Sequence, residues 1–270
     1  MTLHIKLVIL LLILLIIVIN SITITKFTKT NNINICLITF KPNDNLLEFL
    51  NTFKNHDVYI IIDDNSIDYN TNYPNGKYKN LKFIQINNQE CEDNGFINSS
   101  IAMMGSDKKV IAWDKALYYI STINKEYSHT WFMEDDVFLY NEEILNNLDS
   151  KYPTSDILTQ KYGESNNSWV HFKNLNYSNN YSPPYYNTMI CACRMSRKMM
   201  GLIKQFANKN KSFQFIESLL PTIAIKNNLK YDTPSEFDKI RTYAIKVDID
   251  KNFIYHAVKD QEYQKQLRNN

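Results

Sequence analysis

The chain has little of what interrupts regular structure: 5 Gly and 7 Pro in 270 residues, with 44% of positions hydrophobic. That scarcity excludes collagen-like and low-complexity architectures and argues against disorder over most of the length. Neither charge sign is in excess, since 30 Lys and Arg stand against 28 Asp and Glu for a net charge of +2. No electrostatic surplus therefore points to nucleic acid as a partner. Cysteine is sparse too. Cys36, Cys91, Cys191 and Cys193 lie mostly in or beside apolar runs and lack the repeated C-x-x-C spacing of a zinc site, so buried free thiols are expected. No internal repeat appears, which argues against solenoid and propeller arrays. Asn, Ile, Lys and Tyr are used heavily, the mark of an AT-rich genome, for which a virus is one source.

What is present begins with one long apolar run. "LVILLLILLIIVI" extends from Leu7 to Ile19 without a charge, and "NSITIT" follows before Lys26. Taken to Thr25, the run is long enough to cross a hydrocarbon core of roughly 30 Å at about 1.5 Å per residue. A signal peptide has an h-region of similar length, but no A-x-A-like cleavage site follows, so an uncleaved anchor is expected. Residues 1–30 are thus expected to form a transmembrane helix and short stem, and residues 31–270 a single domain. Lys6 and His4 on one side face Lys26 and Lys29 on the other, and the positive-inside rule barely orients the span. A luminal C-terminal domain, in an ER- or Golgi-like compartment, is the preferred arrangement. Sequons at Asn98, Asn166, Asn176, Asn180 and Asn210 are weak support for a secretory route, because an Asn-rich chain makes N-x-S by chance.

From residue 33 strands and helices alternate. "INICLITF" is a β-branched run of the kind buried on both faces, and "NDNLLEFLNTFKN" spaces its apolar residues helically behind a cap at Asn43 or Asp44. "DVYIIIDDNS" and "LKFIQIN" are two more strands, and the stretch from Ser99 to Ile123 has helical periodicity. "HTWFMEDDVFLY", residues 129–140, is a fourth strand running into an acidic cluster. The pattern predicts an α/β domain with a parallel sheet. Residues 161–188 are polar and aromatic, too long for an ordinary connection, and so a candidate binding loop. "MICACRM" is a further strand, and "SRKMMGLIKQFANK" a helix capped by Ser196. "FQFIESLLPTIAIKNNLKY" is helical, with Pro221 expected to kink or restart it.

Ligands of such open sheets bind beyond the carboxyl ends of the strands, and two strands here end in acid: Asp63 and Asp64, then Glu134, Asp135 and Asp136. Adjacent carboxylates oppose one another's ionisation, and a divalent cation is the simplest positive partner. Mg²⁺ or Mn²⁺ would take few protein carboxylates and leave positions for phosphate oxygens, which points to a nucleotide derivative as ligand.

Four motifs in order, "YIIIDDNS", "WFMEDDVF", "FIESLLPT" and "FIYHAVK", make residues 33 to about 260 resemble a GT-A glycosyltransferase, family-2-like, DxD-containing and membrane-anchored. That resemblance implies an α/β, Rossmann-like, mostly parallel sheet flanked by helices. It implies a nucleotide-sugar donor, with a UDP-sugar first, a glycan or glycoprotein acceptor, and Mn²⁺ or Mg²⁺ as cofactor. By the same resemblance Asp63 or Asp64 would hold the uridine or ribose, Asp136 and His256 the metal, and Glu217 would be the catalytic base of an inverting transfer. The chain departs from the DxD pattern in reading E-D-D, so which of Glu134, Asp135 and Asp136 meets the ribose stays open. Glu217 lacks the Asp that commonly follows the base, and a surface position at a helix start is its competing expectation. Lys259, three residues past His256, could face a phosphate. Lys115 lies where the fold often carries a basic residue near the diphosphate, against the competing expectation of solvent exposure. Trp169, Tyr185 and Tyr186 in the long loop offer aromatic faces to an acceptor sugar. Two other functions compete: an inactive carbohydrate-binding or virion-surface protein, and a phosphohydrolase using "IIIDDNS", whose Asn65 and Ile67 depart from the haloacid dehalogenase pattern D-x-D-x-T/V.

Overall fold

The computed structural model describes residues 32–73, 76–100, 109–124, 126–169, 171–172, 181–241 and 249–269. Residues from Ile33 onward form one compact unit. The expected anchor at Leu7–Ile19 and the sequons at Asn176 and Asn180 lie outside the described residues, among which no helix is long and apolar enough to cross a membrane.

The first half alternates as its patterning predicts: β1 (Ile33–Thr39), α1 (Asp44–Leu50), β2 (Asp57–Ile62), α2 (Tyr69–Asn72), β3 (Leu81–Gln85), α3 (Asn88–Asp93), α4 (Ala112–Tyr118) and β4 (His129–Glu134). The second half is more broken. It contains α5 (Glu143–Lys151), β5 (Ile157–Leu158), β6 (Gly163–Ser165), β7 (Tyr185–Asn187), β8 (Ala192–Ser196), α6 (Arg197–Asn210) and α7 (Ile216–Lys226). Then come β9 (Tyr231–Asp232), β10 (Lys239–Ile240), β11 (Tyr255–His256) and α8 (Gln261–Asn269).

Seven strands make one mixed sheet in the order β3-β2-β1-β4-β8-β5-β9. The run β3-β2-β1-β4 is parallel, and β8 enters antiparallel between β4 and β5. Alternate side chains leave the sheet in opposite directions. Ile35, Leu37, Ile60, Trp131 and Met133 pack with α1 and α5 on one face. Cys36, Ile38, Ile61, Phe132 and Cys193 pack with α4, α6 and α7 on the other. Burial on both faces is why β1 and β2 are nearly unbroken apolar runs.

Several boundaries differ from the patterning. The cap of α1 is Asn43, whose side chain accepts from the Asn45 amide. The helix expected from Ser99 begins, among the described residues, at Ala112; residues 101–108 lie outside them. The strand expected to reach Tyr140 stops at Glu134, where the chain turns and the Val137 amide donates back to the Glu134 carbonyl at 3.1 Å. α7 runs through Pro221 without stopping. Proline cannot donate to the carbonyl four residues earlier. That carbonyl belongs to Glu217, and the Thr188 amide takes it at 2.9 Å. All four cysteines are buried free thiols, as expected.

Candidate active site

Parallel registry fixes the site. Thr39 lies opposite Ile62, and Ile38 opposite Glu134, so the carboxyl ends of β2, β1 and β4 are side by side and their acids share one sheet edge. The Asp63 and Asp64 amides donate to the carbonyls of Thr39 and Phe40, and the Thr39 hydroxyl donates to Asp135 Oδ2 at 2.5 Å. The end of β1 therefore touches both acidic clusters.

Three potential ligands converge there. One oxygen each from Glu134 and Asp136 and a ring nitrogen of His256 lie within 4.8 Å of one another. Nε2 of His256 is 3.3 Å from Asp136 Oδ1 and 3.8 Å from Glu134 Oε2. β11 carries the histidine, and the Phe138–Tyr255 bridge lays that strand against the turn after β4. The His256 Nδ1 is 2.8 Å from the Arg241 carbonyl. A carbonyl can only accept, so Nδ1 holds a proton, and Nε2 is the atom turned toward the carboxylates, a lone pair whenever the ring is neutral. Burial disfavours the imidazolium, but the hydrogen bond and charge of Asp136 outweigh it and raise the pKa above the ordinary value.

The carboxylates are under matching strain. Burial raises the Glu134 pKa, with added repulsion from Asp136, while the Trp113 indole N–H opposes this by donating to Oε1 at 2.7 Å. Asp136 Oδ1 is buried, with His256 Nε2 at 3.3 Å as its charged neighbour. Two crowded, desolvated carboxylates and an imidazole whose Nδ1 is committed to a carbonyl form a donor set that fits Mn²⁺ or Mg²⁺. Asp135 differs from its neighbours, because its carboxylate turns to Thr39 and its pKa is raised by burial.

Asp63 and Asp64 divide their labour. The Ser66 hydroxyl, the Ser66 amide at 2.9 Å and the Tyr69 hydroxyl at 2.8 Å together hold the Asp64 carboxyl far below the usual range and pin the loop after β2. Asp63 pairs with Lys115, whose Nζ lies 3.1 Å from Oδ1 and donates to the Asp63 carbonyl at 2.9 Å. Lys115 is fully buried, so the competing expectation of solvent exposure is corrected: α4 is covered on all sides. Trp113 and Lys115, two residues apart on that helix, thus hold one acid from each cluster.

Glu217 sits in the first turn of α7, as either expectation has it, and is half-buried. Burial, with added repulsion from Glu134 and against the opposing charge of His256, pushes its pKa up to about 7. That mutual influence places Glu217 within electrostatic reach of the three ligands. Lys259 is exposed on the segment after His256.

The long loop is part β-ribbon. β6 and β7 pair antiparallel, and the ribbon docks on α7 through the Ser218 hydroxyl to the Tyr186 carbonyl at 2.9 Å and the Tyr186 amide to the Thr222 hydroxyl at 3.0 Å. Trp169 stacks on Phe215, the residue preceding α7. Tyr185 donates its hydroxyl to the Tyr181 carbonyl, and Tyr186 packs edge-on against Tyr162. These aromatics border the helix that carries Glu217.

Trp113 and Thr39 were not singled out by the sequence. A buried indole needs an acceptor, so the tryptophan of "AWDKAL" carried the one signal that could have prompted the search.

No family model matches the sequence, and no curated protein matches it. Solved structures do. A galactosyltransferase LgtC in complex with donor and acceptor sugar analogs aligns over 88% of this chain and 95% of its own, at 8% identity and a TM-score of 0.47. A 4-diphosphocytidyl-2C-methyl-D-erythritol synthase from Anaerococcus prevotii aligns over 89% and 97%, at 7% identity and 0.46. Mouse xyloside xylosyltransferase 1 aligns over 75% and 85%, at 11% identity and 0.39. With every TM-score below one half, these likenesses do not decide the chemistry.

Proposed function

We propose that the chain is a membrane-anchored, metal-dependent glycosyltransferase of the GT-A type. It moves a sugar from a nucleoside diphosphate donor, a UDP-sugar first, to a hydroxyl of a glycan or glycoprotein. One observation carries the proposal: Glu134, Asp136 and His256 present ligand atoms within 4.8 Å at the carboxyl edge of the sheet, with Glu217 electrostatically coupled to them.

A bound Mn²⁺ or Mg²⁺ would supply neutralising charge to a departing diphosphate. Glu134, Asp136 and His256 are the residues that would hold it, and Arg241 keeps His256 in the ligating tautomer. The end of β2, with Asp63 braced by Lys115 and Asp64 by Ser66, is assigned to the nucleoside. Lys259 is assigned a phosphate oxygen. Glu217 accepts the proton of the acceptor hydroxyl as that oxygen bonds to the anomeric carbon and the bond to the diphosphate breaks. A single displacement of this kind inverts the anomeric centre. A carboxylate poised near neutrality is suited to general-base work. Trp169, Tyr185 and Tyr186 flank α7 and are assigned to the acceptor. The residues at Leu7–Ile19 are assigned to the anchor, and the domain to the luminal side.

The test is a panel of nucleotide sugars offered to the full-length chain with and without Mn²⁺. Metal-dependent consumption of one donor, abolished in Asp136→Ala, supports the proposal. Consumption that survives the substitution, or none at all, refutes it and favours the phosphohydrolase or the binder respectively.

A further inference from the structure

We propose that Gln264 is a positioning residue that clamps together the two chain segments bearing Asp136 and His256. The inference rests on those residues being cation ligands. The two segments meet through three backbone bonds. The Phe138 amide donates to the Tyr255 carbonyl at 2.9 Å, the Tyr255 amide to the Phe138 carbonyl at 3.1 Å, and the Val258 amide to the Asp136 carbonyl at 2.8 Å. Past the last of these, both segments offer acceptors, the carbonyls of Asp135 and Val258. Two acceptors cannot bond each other.

Gln264 joins them. Its side chain is fully buried, and its carboxamide nitrogen donates to Val258 O at 2.8 Å and to Asp135 O at 3.2 Å. An amide NH₂ has two hydrogens, one for each carbonyl. The amide oxygen in turn accepts from Arg268 Nη2 at 2.8 Å, so the orientation of the group is fixed by all its partners. Gln261, one turn earlier, also donates to Asp135 O, at 2.6 Å; the link to Val258 is what Gln264 adds. The helix that carries both is itself anchored. The Asn45 side chain donates through Nδ2 to Glu262 Oε1 at 2.5 Å, and the Arg268 guanidinium lies 3.6 Å from the centroid of Phe49. The clamp therefore refers both ligand segments to α1, the helix that follows β1.

Gln264→Met keeps length and burial but removes both hydrogens, leaving only the three backbone bonds between the turn after β4 and the segment after β11. A partner that orients a metal ligand is worth about 10- to 100-fold in metal affinity. The test titrates Mn²⁺ into the full-length chain, following free Mn²⁺ by electron paramagnetic resonance, for wild type, Gln264→Met and Gln264→Asn. His56→Gln, at the opposite edge of the sheet, is the control for general destabilisation. Hydrogen exchange of residues 134–138 and 254–258 without metal is measured alongside. The expected result is Mn²⁺ binding about tenfold weaker or more in Gln264→Met, intermediate in Gln264→Asn and unchanged in the control, with faster exchange in both segments. Wild-type affinity in Gln264→Met, or an equal loss in the control, overturns the clamp and leaves the metal site standing. Wild-type protein that binds no Mn²⁺ overturns both.

Discussion

Replacing Glu217 with glutamine should move activity and stability in opposite directions. Its pKa rises from an ordinary 4.5 to about 7, because burial and then Glu134 disfavour the charge. Between those two values the folded chain binds more protons than the unfolded chain, so stability falls as pH rises through that window. The full difference corresponds to about 3 kcal/mol, which partial exposure reduces to about 1–3 kcal/mol. Glutamine carries no such cost. Glu217→Gln should match wild type near pH 4 and exceed it by about 1–3 kcal/mol near pH 8 in urea unfolding monitored by fluorescence. Turnover of the nucleotide sugar should fall about 10²- to 10⁴-fold. For wild type, kcat/KM should decline as pH drops through about 7 or somewhat below, since a cation beside Glu134 relieves the repulsion that raises Glu217. A variant no more stable than wild type at alkaline pH, or one that keeps its turnover, would refute the placement of Glu217 as a desolvated base.

Three other substitutions probe the supports. Lys115→Met removes the cation beside buried Asp63 and should cost about 3–5 kcal/mol in unfolding free energy, most of it recovered when Asp63→Asn is added. Trp113→Phe deletes the donor to Glu134 Oε1; Mn²⁺ binding by calorimetry should weaken about tenfold, and more at pH 6 than at pH 8, because the Glu134 pKa rises further. At the amino edge, burial of His56 opposes its charge, but Asp149 and Glu142 outweigh it and hold the pKa above 6.5. Its stabilisation is fully present below about pH 6.5 and lost as pH rises through the higher folded value, so His56→Gln should cost about 1–3 kcal/mol near pH 6 and less near pH 9.

The sheet was legible where burial is two-sided. β1, β2 and β4 are apolar runs, the last two ending in acid, and parallel packing alone brings such ends to one edge. The two-residue strands β5, β9, β10 and β11 are too short to show a period, so the strand under His256 left only a lone histidine in an apolar run. Pro221 gave a true signal, though the helix does not restart there. A helix proline orphans the carbonyl four residues before it, here Glu217, and the Thr188 amide, one residue past β7, supplies the missing donor. Trp113, Thr39 and Gln264 act across 21, 96 and 129 residues of chain, through bonds that no local pattern encodes.

The most direct measurement is calorimetric titration of the full-length chain with UDP, with and without Mn²⁺, for wild type and Asp136→Asn. The account requires one metal-dependent UDP site in wild type that vanishes in the variant. Metal-independent uptake, or a site untouched by Asp136→Asn, would contradict it.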